Sequence, residues 1–258
     1  MRTVLSQDGT TIAFDQIGAG PPLVLVAGAS CDRGVDAPIA QGLAEHFTVL
    51  NYDRRGRGDS GNTLPFAVER EIEDIAALLD AAGGSAVVLG LSSGAALAAH
   101  AATAGLPISA LVLWEPPFVL DPDSARETKE YTQQLHTLLA QGRYGDAVEH
   151  FMRRVGLPDE MIEGMRHSPY WALGERLAPT LAYDAAVMGD ATVPTDLFAT
   201  ISAPTLLLAG SSSPAWMREA AQAVAGVIPG AQFDVLEGQD HNVAGDVLAP
   251  AVRDFLTG

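Results

Sequence analysis

The chain is poor in cysteine, in basic residues and in long apolar runs. Its single cysteine, Cys31, excludes an intrachain disulfide and fits a reducing compartment. No apolar run approaches the roughly 20 residues that a membrane helix needs. The first nine residues lack the apolar core of a secretory signal. We therefore expect a cytoplasmic protein that does not enter a membrane.

The balance of charge excludes further classes of partner. Lysine and arginine number 15 against 32 aspartates and glutamates, which gives a formal net charge of −17. Such a surface repels phosphate backbones and anionic lipid, so we expect neither nucleic acid nor a membrane as a partner. A small-molecule substrate is expected instead, and a homodimer stays open. At 258 residues and 48% hydrophobic composition, the chain is long enough for one large α/β domain.

Strand-like and helix-like segments alternate along most of the chain, which predicts a parallel sheet covered by helices. An opening hairpin is expected over 2–6 and 11–16, with its turn at Asp8-Gly9. The later predicted strands are 23–26, 47–52, the run ending at Ser92, 110–114, 204–209 and 232–236. The helices predicted around them are 68–82, the segment after Ser92, 216–227 and 247–256.

The pattern changes between Glu115 and Ala203. This stretch is too long for a loop. It carries long helical patterns over Ser124–Gln141, Tyr144–Val155 and Asp159–Arg166. The sheet pattern then resumes. We predict that residues 1–115 and 204–258 form the core and that residues 116–203 form a helical lid inserted into it.

The most informative motif is Gly90-Leu91-Ser92-Ser93-Gly94. It lies between a buried strand and an alanine-rich helix, the context that a nucleophile elbow requires. Ser92 would occupy the sharp turn. Gly90 and Gly94 have no Cβ, so strand and helix can approach closely. The alternative, an ordinary βα turn, is disfavoured by the strand before the motif and the helix after it.

Three further segments accompany this motif in a fixed order: 25–29 (Leu-Val-Ala-Gly-Ala), 52–60 (Tyr-Asp-Arg-Arg-Gly-Arg-Gly-Asp-Ser) and 238–241 (Gly-Gln-Asp-His). With them the chain resembles the α/β-hydrolases, in particular the small, lid-bearing bacterial enzymes that include esterases, lactonases and haloalkane dehalogenases. The resemblance implies an α/β-hydrolase fold: a mostly parallel eight-stranded sheet flanked by helices, with a helical lid after the sixth strand. No cofactor and no metal are expected, because no dinucleotide motif or metal-ligand spacing is present.

A serine nucleophile needs an adjacent base. His241 follows the last predicted strand, where the family places its catalytic histidine, and we predict it as the base. His46 and His100 lie in helical sequence of the core. His136 and His150 lie on predicted lid helices. His167 is the least firmly excluded alternative, because the aromatic residues 170 and 171 follow it closely.

The acid of the triad is not where the family usually has it. The loop after strand 204–209 contains Ser211–Ser213 and no carboxylate. Glu115 ends the preceding strand, at the sheet edge where ligands bind, and some relatives use a carboxylate there. Its position before Pro116 predicts an extended backbone. We predict Glu115 as the acid, with Asp240 as the weaker alternative.

The resemblance places the oxyanion hole at the backbone amides of Ala29 and Ser93, although Ala27 replaces the histidine usual before Gly28. A plain βα turn at 27–30 is the alternative. The residues that we expect to line a substrate pocket are Ser30, Cys31, Phe118, Tyr170, Trp171 and Tyr183; packing inside the lid is the alternative for the aromatic ones. Within 53–60, paired aspartates and arginines are expected to brace one another.

These features together predict a serine hydrolase that cleaves an ester or lactone of a small or medium hydrophobic molecule through an acyl-enzyme. Serine at position 92 argues against a haloalkane dehalogenase or an epoxide hydrolase, which need a carboxylate nucleophile. A C–C hydrolase, a thioesterase and a tailoring cyclase use the same triad and stay open. A non-catalytic ligand-binding protein is supported by Ala27 and the serine loop, and opposed by Ser92 and His241.

Overall fold

The computed structural model describes residues 1–258, apart from the side chain of residue 169. The described residues form eight strands: β1 (Arg2–Leu5), β2 (Thr11–Ile17), β3 (Pro22–Val26), β4 (Thr48–Tyr52), β5 (Ala86–Leu91), β6 (Ile108–Trp114), β7 (Thr205–Gly210) and β8 (Gln232–Leu236). They also form these helices: α1 (Ala37–Leu43), α2 (Val68–Ala81), α3 (Ser93–Thr103), α4 (Pro122–Ala140), α5 (Tyr144–Arg154), α6 (Asp159–Arg166), α7 (Pro169–Leu177), α8 (Leu181–Met188), α9 (Thr195–Phe198), α10 (Ala215–Val227) and α11 (Gly245–Thr257).

The strands form one sheet in the order β1-β2-β4-β3-β5-β6-β7-β8. β2 runs antiparallel to both neighbours, whereas β4, β3, β5, β6, β7 and β8 are mutually parallel. All residues of β5 and β7 are buried, as expected for strands covered on both faces. The predicted α/β-hydrolase fold with a mostly parallel eight-stranded sheet is therefore confirmed.

Two hydrophobic cores lie on the two faces of the sheet. On one face, α2 and α3 contribute residues such as Ile75, Leu78 and Leu97. On the other, α1 and α11 contribute Leu43 and Leu248. Since the helices cover both faces, the carboxyl ends of the parallel strands remain as the edge where a site can form.

The segment between β6 and β7 carries α4 to α9, with a 3-10 turn over Ala178–Thr180. It has an apolar cluster of its own, which includes Leu135, Val148 and Leu181. The three helical patterns predicted here correspond to α4, α5 and α6 within two residues. α4 begins earlier than predicted because the Asp121 carboxylate caps it, accepting a hydrogen bond of 2.9 Å from the Ser124 amide.

Sequence periodicity did not identify α1, α7, α8 or α9. All four are short, and none has a side-chain cap at its start. Helices of this length are stabilised mainly by tertiary packing, so their sequences carry a weak signal. Among the described residues, no helix combines the length and the apolar character needed to span a membrane.

The nucleophile motif packs α3 directly against the end of β3, and Gly94 makes this contact. A Cβ at position 94 would overlap the carbonyl oxygens of Val26 and Ala27 and lie 2.9 Å from the Ala27 carbonyl carbon. These are backbone atoms, which cannot move aside as a flexible side chain can. A side chain here would therefore force α3 away from the sheet.

We expect Gly94→Ala to lower the free energy of unfolding by about 1–3 kcal/mol, the usual cost of overpacking. Gly226→Ala is the matched control: it also adds a methyl group to a helix, but into open space. It should raise stability by up to about 1 kcal/mol through helix propensity. Urea unfolding of both variants checks this, and a Gly94→Ala protein as stable as the wild type would contradict the tight packing.

Candidate active site

Ser92 lies on the turn between β5 and α3. Its φ of 54° and ψ of −124° are rare for a residue with a side chain. Its amide donates to the Trp114 carbonyl oxygen at 2.9 Å, which ties the turn to the end of β6. Such strained backbone persists where the surroundings hold it, and it is common at functional sites. The half-buried side chain thus stands at the carboxyl edge of the sheet, at the start of a helix.

Glu115 follows the last residue of β6 and is fully buried. Its φ is 44°, so the extended backbone expected before Pro116 is wrong. The amide of Glu115 still pairs with the Leu208 carbonyl oxygen of β7 at 3.0 Å. Because this pairing keeps the residue in the sheet, the chain has to leave the edge within one residue, and that requires a sharp turn.

The Glu115 carboxylate meets the ring of His241. Oε2 lies 2.6 Å from Nδ1 of the histidine, and Oε1 accepts the Gly210 amide at 2.8 Å. The buried hydroxyl of Ser213 also faces this carboxylate, without a hydrogen bond of standard geometry. Burial alone would raise the pKa of Glu115, but these groups, led by His241, outweigh it and hold the pKa below its usual value. The carboxylate is therefore ionised at neutral pH.

His241 lies in the loop after β8, and its side chain is 34% exposed. Trp114 fixes its backbone, since Nε1 of the indole donates to the His241 carbonyl oxygen at 3.1 Å. Asp240 is turned toward its own loop and accepts the Asn242 amide at 2.8 Å. Among the described side chains, no hydrogen bond links His241 to Ser92; in unliganded enzymes such contacts are often long.

Three of the other histidines have partners of their own. Nε2 of His100 lies 3.1 Å from the Val187 carbonyl oxygen, and that of His150 lies 3.2 Å from the Tyr131 carbonyl oxygen. His167, the alternative base, is 80% exposed and pairs with Glu163 on its own helix. The structure therefore brings one predicted base, His241, to the predicted acid.

The segments that carry the two predicted oxyanion donors both adjoin Ser92. Gly28 packs against the nucleophile turn: a Cβ there would stand 3.1 Å from that of Ser92. Ala29 follows Gly28 in this loop. Ser93 is the first residue of α3, and a helix leaves its first N–H groups without intrahelical acceptors. The Ser92 carbonyl oxygen accepts a hydrogen bond from the Ala95 amide and therefore points along the helix. In a trans peptide the following N–H points in the opposite direction, so the Ser93 N–H points out of the start of the helix.

A cluster of buried charges, which the sequence did not predict, lies behind these donors. It consists of Arg54, Arg57, Glu71 and Asp184. Asp184 Oδ1 accepts from Arg54 Nη1 at 2.7 Å and from the Ser93 hydroxyl at 2.8 Å, and Oδ2 accepts from Arg57 Nη2 at 2.8 Å. Glu71 receives Nε and Nη2 of Arg54 at 2.6 and 2.8 Å. Burial opposes ionisation of Asp184, but Arg57 and Arg54 outweigh it and lower its pKa.

The expectation that aspartates and arginines within 53–60 brace one another is wrong. Arg54 and Arg57 bind Asp184, and Arg55 binds Asp74. Asp53 is instead bonded to Arg33. The arginines bind acids of other elements, Asp184 of α8 and Asp74 of α2.

The predicted pocket residues have different environments. Phe118 is 1% exposed and packs edge-to-face on Phe198, within the core. Tyr170 is 74% exposed. Trp171 is partly buried and packs against the apolar cluster between β6 and β7, as Ala29 does. The Tyr183 ring stacks on that of Phe66, with 3.9 Å between the ring centroids. Packing therefore accounts for Phe118, Trp171 and Tyr183, and Tyr170 lies at the surface.

Ser30 and Cys31 are half-buried and lie in residues 27–31, the loop that carries the predicted donor Ala29 and is called the oxyanion loop below. Ser30 has a φ of 58°. Burial, with the nearby charge of Asp36, raises the pKa of the Cys31 thiol to about 12, so it is no nucleophile at neutral pH.

A separate cleft of about 860 Å³ lies between Arg33 and Leu173, and none of the predicted triad residues lines it. No group of three potential metal ligands is found in the described part of the chain.

Comparisons with known proteins give the family and the fold. A family model described as the alpha/beta hydrolase family matches residues 23–251. A pimeloyl-acyl-carrier-protein methyl ester esterase of Stenotrophomonas maltophilia is 31% identical over 94% of this chain and 95% of its own. An alpha/beta hydrolase of Sphaerobacter thermophilus is 52% identical, with a TM-score of 0.89 over 99% of this chain and 100% of that one. A hydrolase of Pseudomonas aeruginosa is 27% identical, with a TM-score of 0.72 over 100% and 98%.

One buried acid near the oxyanion loop has no partner. Asp36 precedes α1, is 5% exposed, and its Oδ2 forms no hydrogen bond within the described residues. Burial raises its pKa from 3.8 to about 7, partly opposed by Arg57 and reinforced by Asp32. Between pH 3.8 and about pH 7, Asp36 keeps its proton in the folded protein and releases it in the unfolded chain. The free energy of unfolding therefore falls as pH rises through this window.

We expect Asp36→Asn to remove this loss. The variant should gain stability over the wild type between pH 4.5 and pH 8, by on the order of a few kcal/mol at pH 8. Urea unfolding at pH 4.5, 6 and 8 measures the difference, in which the other titrating groups cancel. A difference that does not change with pH would show that Asp36 is ionised in the folded protein throughout.

Proposed function

Because the chain belongs to the alpha/beta hydrolase family, we propose that this hydrolytic enzyme cleaves carboxylic esters or lactones with a Ser92–His241–Glu115 triad. The observation that carries the proposal is the 2.6 Å contact between Glu115 Oε2 and His241 Nδ1. It supports a carboxylate at the end of β6 as the substitute for the acid that the Ser211–Ser213 loop lacks. The lowered pKa of Glu115 supports the same role, because a triad acid has to be ionised.

The reaction follows from these positions. Ser92 Oγ attacks the carbonyl carbon while His241 Nε2 takes its proton. The imidazolium is stabilised by Glu115 at Nδ1. The amides of Ala29 and Ser93 hold the oxyanion. When the C–O bond breaks, the proton passes from His241 to the leaving alkoxide and an acyl-enzyme remains. Water, deprotonated by His241, then attacks the acyl carbon and releases the acid and the serine hydroxyl.

The substrate that we propose is a small or medium hydrophobic ester. The Stenotrophomonas relative is named for a methyl ester, which makes methyl esters the first compounds to test. Several arginines between β6 and β7 are engaged with carboxylates, among them Arg143 with Asp146 and Arg153 with Asp159. With the net charge of −17, this favours a free small molecule over an acidic carrier.

We further propose that residues 116–203 form a lid over the site, that the enzyme acts in the cytoplasm, and that it needs no nucleic-acid or membrane partner. Contact of Ala29 with the apolar cluster between β6 and β7 supports the lid. A homodimer is compatible with every step of the mechanism, since each proposed catalytic residue comes from one chain.

A fluorophosphonate probe tests the activated serine. We expect stoichiometric labelling of Ser92, none in Ser92→Ala, and labelling slowed by orders of magnitude in His241→Ala. Intact mass and peptide mapping give the site. A panel of methyl esters, p-nitrophenyl esters, lactones and thioesters then identifies the bond. Absence of labelling in folded wild type, also with a small probe, would reject the proposal in favour of a ligand-binding protein; turnover of a vinylogous diketone alone would favour a C–C hydrolase.

The acid can be tested by moving it. Glu115→Gln should lower kcat by about 10³- to 10⁴-fold, as loss of the triad carboxylate does in serine proteases. The double variant Glu115→Gln/Ser213→Asp should have a kcat at least tenfold above that of Glu115→Gln, because Ser213 is buried beside the same carboxylate. Asp240→Asn is the control and should stay within about threefold of wild type, since its carboxylate faces its own loop. Near-normal turnover of Glu115→Gln would contradict the assignment.

A further inference from the structure

The charge cluster Arg54–Arg57–Glu71–Asp184 bonds to the oxyanion loop as well as to itself. Arg57 Nη1 donates to the Gly28 carbonyl oxygen at 2.5 Å and to that of Cys31 at 3.1 Å. Arg54 Nη1 donates to the Ala27 carbonyl oxygen at 3.2 Å. Three carbonyl groups of a five-residue loop are therefore held by two buried guanidinium groups.

The bond to Gly28 fixes the direction of a catalytic amide. In a trans peptide the C=O of one residue and the N–H of the next are coplanar and point in opposite directions. With the Gly28 oxygen directed at Arg57, the Ala29 N–H has to point to the other side of the loop. Gly28 itself packs on Ser92, so this peptide adjoins the nucleophile turn. The guanidinium of Arg57 thus sets the orientation of the first oxyanion donor without touching the substrate.

The second donor is tied to the same acid. The Ser93 hydroxyl donates to Asp184 Oδ1 at 2.8 Å, and Ser93 is 4% exposed. Asp184 therefore contacts the residue that carries one donor and the arginine that orients the other. It is the one acid of the described chain bonded to both, and it is contributed by α8, between β6 and β7.

Asp184 is also needed for charge balance. The cluster contains two arginines and two carboxylates, each with a side chain at most 7% exposed. A neutral residue at 184 would leave one positive charge uncompensated in a buried site. Breaking a buried pair in this way is costly, and the arginines would shift to find water or other acceptors. Since Arg57 holds the Gly28 carbonyl, such a shift would change the direction of the Ala29 amide.

We propose that Asp184 is a positioning residue that aligns both donors of the oxyanion hole, the Ala29 amide through Arg57 and Ser93 directly. The inference rests on the proposed hydrolase function. It makes α8 part of the catalytic frame, so the segment between β6 and β7 and the nucleophile turn are linked by charge and not only by apolar contact.

The test compares Asp184→Asn with a matched control, Asp74→Asn. Asp74 is also buried and binds an arginine of the same turn: Oδ2 and Oδ1 accept from Arg55 at 2.8 and 2.7 Å. Arg55 donates to no carbonyl of the oxyanion loop among the described residues. Both variants lose a buried carboxylate that binds an arginine, but only Asp184→Asn should lose activity. Titration with the fluorophosphonate counts the reactive sites in each preparation, and every rate is divided by that number.

We expect Asp184→Asn to lower kcat by about 10- to 100-fold, less than the 10²–10³-fold for losing an oxyanion donor outright. KM should change less than about threefold, because the oxyanion contacts are made mainly in the transition state. The affinity for phenylboronic acid, whose tetrahedral adduct occupies the oxyanion hole, should fall in parallel with kcat. Asp74→Asn should keep kcat and inhibitor affinity within about threefold of wild type.

A purely structural role gives a different pattern: Asp184→Asn with wild-type kcat per titrated site and wild-type boronate affinity would overturn the inference. If that variant does not fold, Ser93→Ala decides. Loss of threefold or more in kcat at unchanged KM supports the role of the Ser93–Asp184 bond, and unchanged kcat overturns it. Ester turnover by the wild type tests the proposed function separately, so its failure cannot be mistaken for failure of this inference.

Discussion

The buried carboxyl end of β6 is the constraint on which the site depends. Within two residues it supplies the carbonyl oxygen that accepts the Ser92 amide, the indole that holds the His241 carbonyl, and the carboxylate that meets the His241 ring. Trp114 and Glu115 are at most 1% exposed, and the amide of Glu115 is still paired to β7. Because these bonds share one short rigid segment, a shift of β6 in register would displace Ser92, His241 and Glu115 together.

Elements that depend on local sequence could be predicted. The strands of the sheet, the glycines around Ser92 and the histidine after β8 all have signals within a few residues, and the fold built on them is confirmed. Glu115 could be singled out because the carboxyl ends of neighbouring parallel strands meet at one edge. Its left-handed backbone could not be foreseen, since that depends on pairing with Leu208, which is far away in the chain.

Asp184 could not be found from sequence for the same reason. It reaches Arg54 across 130 positions and Ser93 across 91, and nothing near it in sequence marks an acid that faces inward. The aromatic residues carry a signal of another kind. An apolar side chain has the same sequence pattern whether it lines a cavity or packs in a core. The packing of Phe118 on Phe198 and of Tyr183 on Phe66 therefore cannot be distinguished from a pocket lining by sequence alone.

The buried arginines explain how an acidic protein can hold its oxyanion loop in place. A loop has few apolar contacts of its own, and its carbonyl groups need donors when they are buried. A guanidinium offers five donors in a rigid plane, so one side chain can hold two carbonyls and still bind a carboxylate. Buried ion pairs add little to stability, but they discriminate strongly against arrangements that leave a charge unpaired. Arg57, held between residues 27–31 and Asp184, therefore favours the single loop conformation in which the Gly28 and Cys31 carbonyls face its guanidinium.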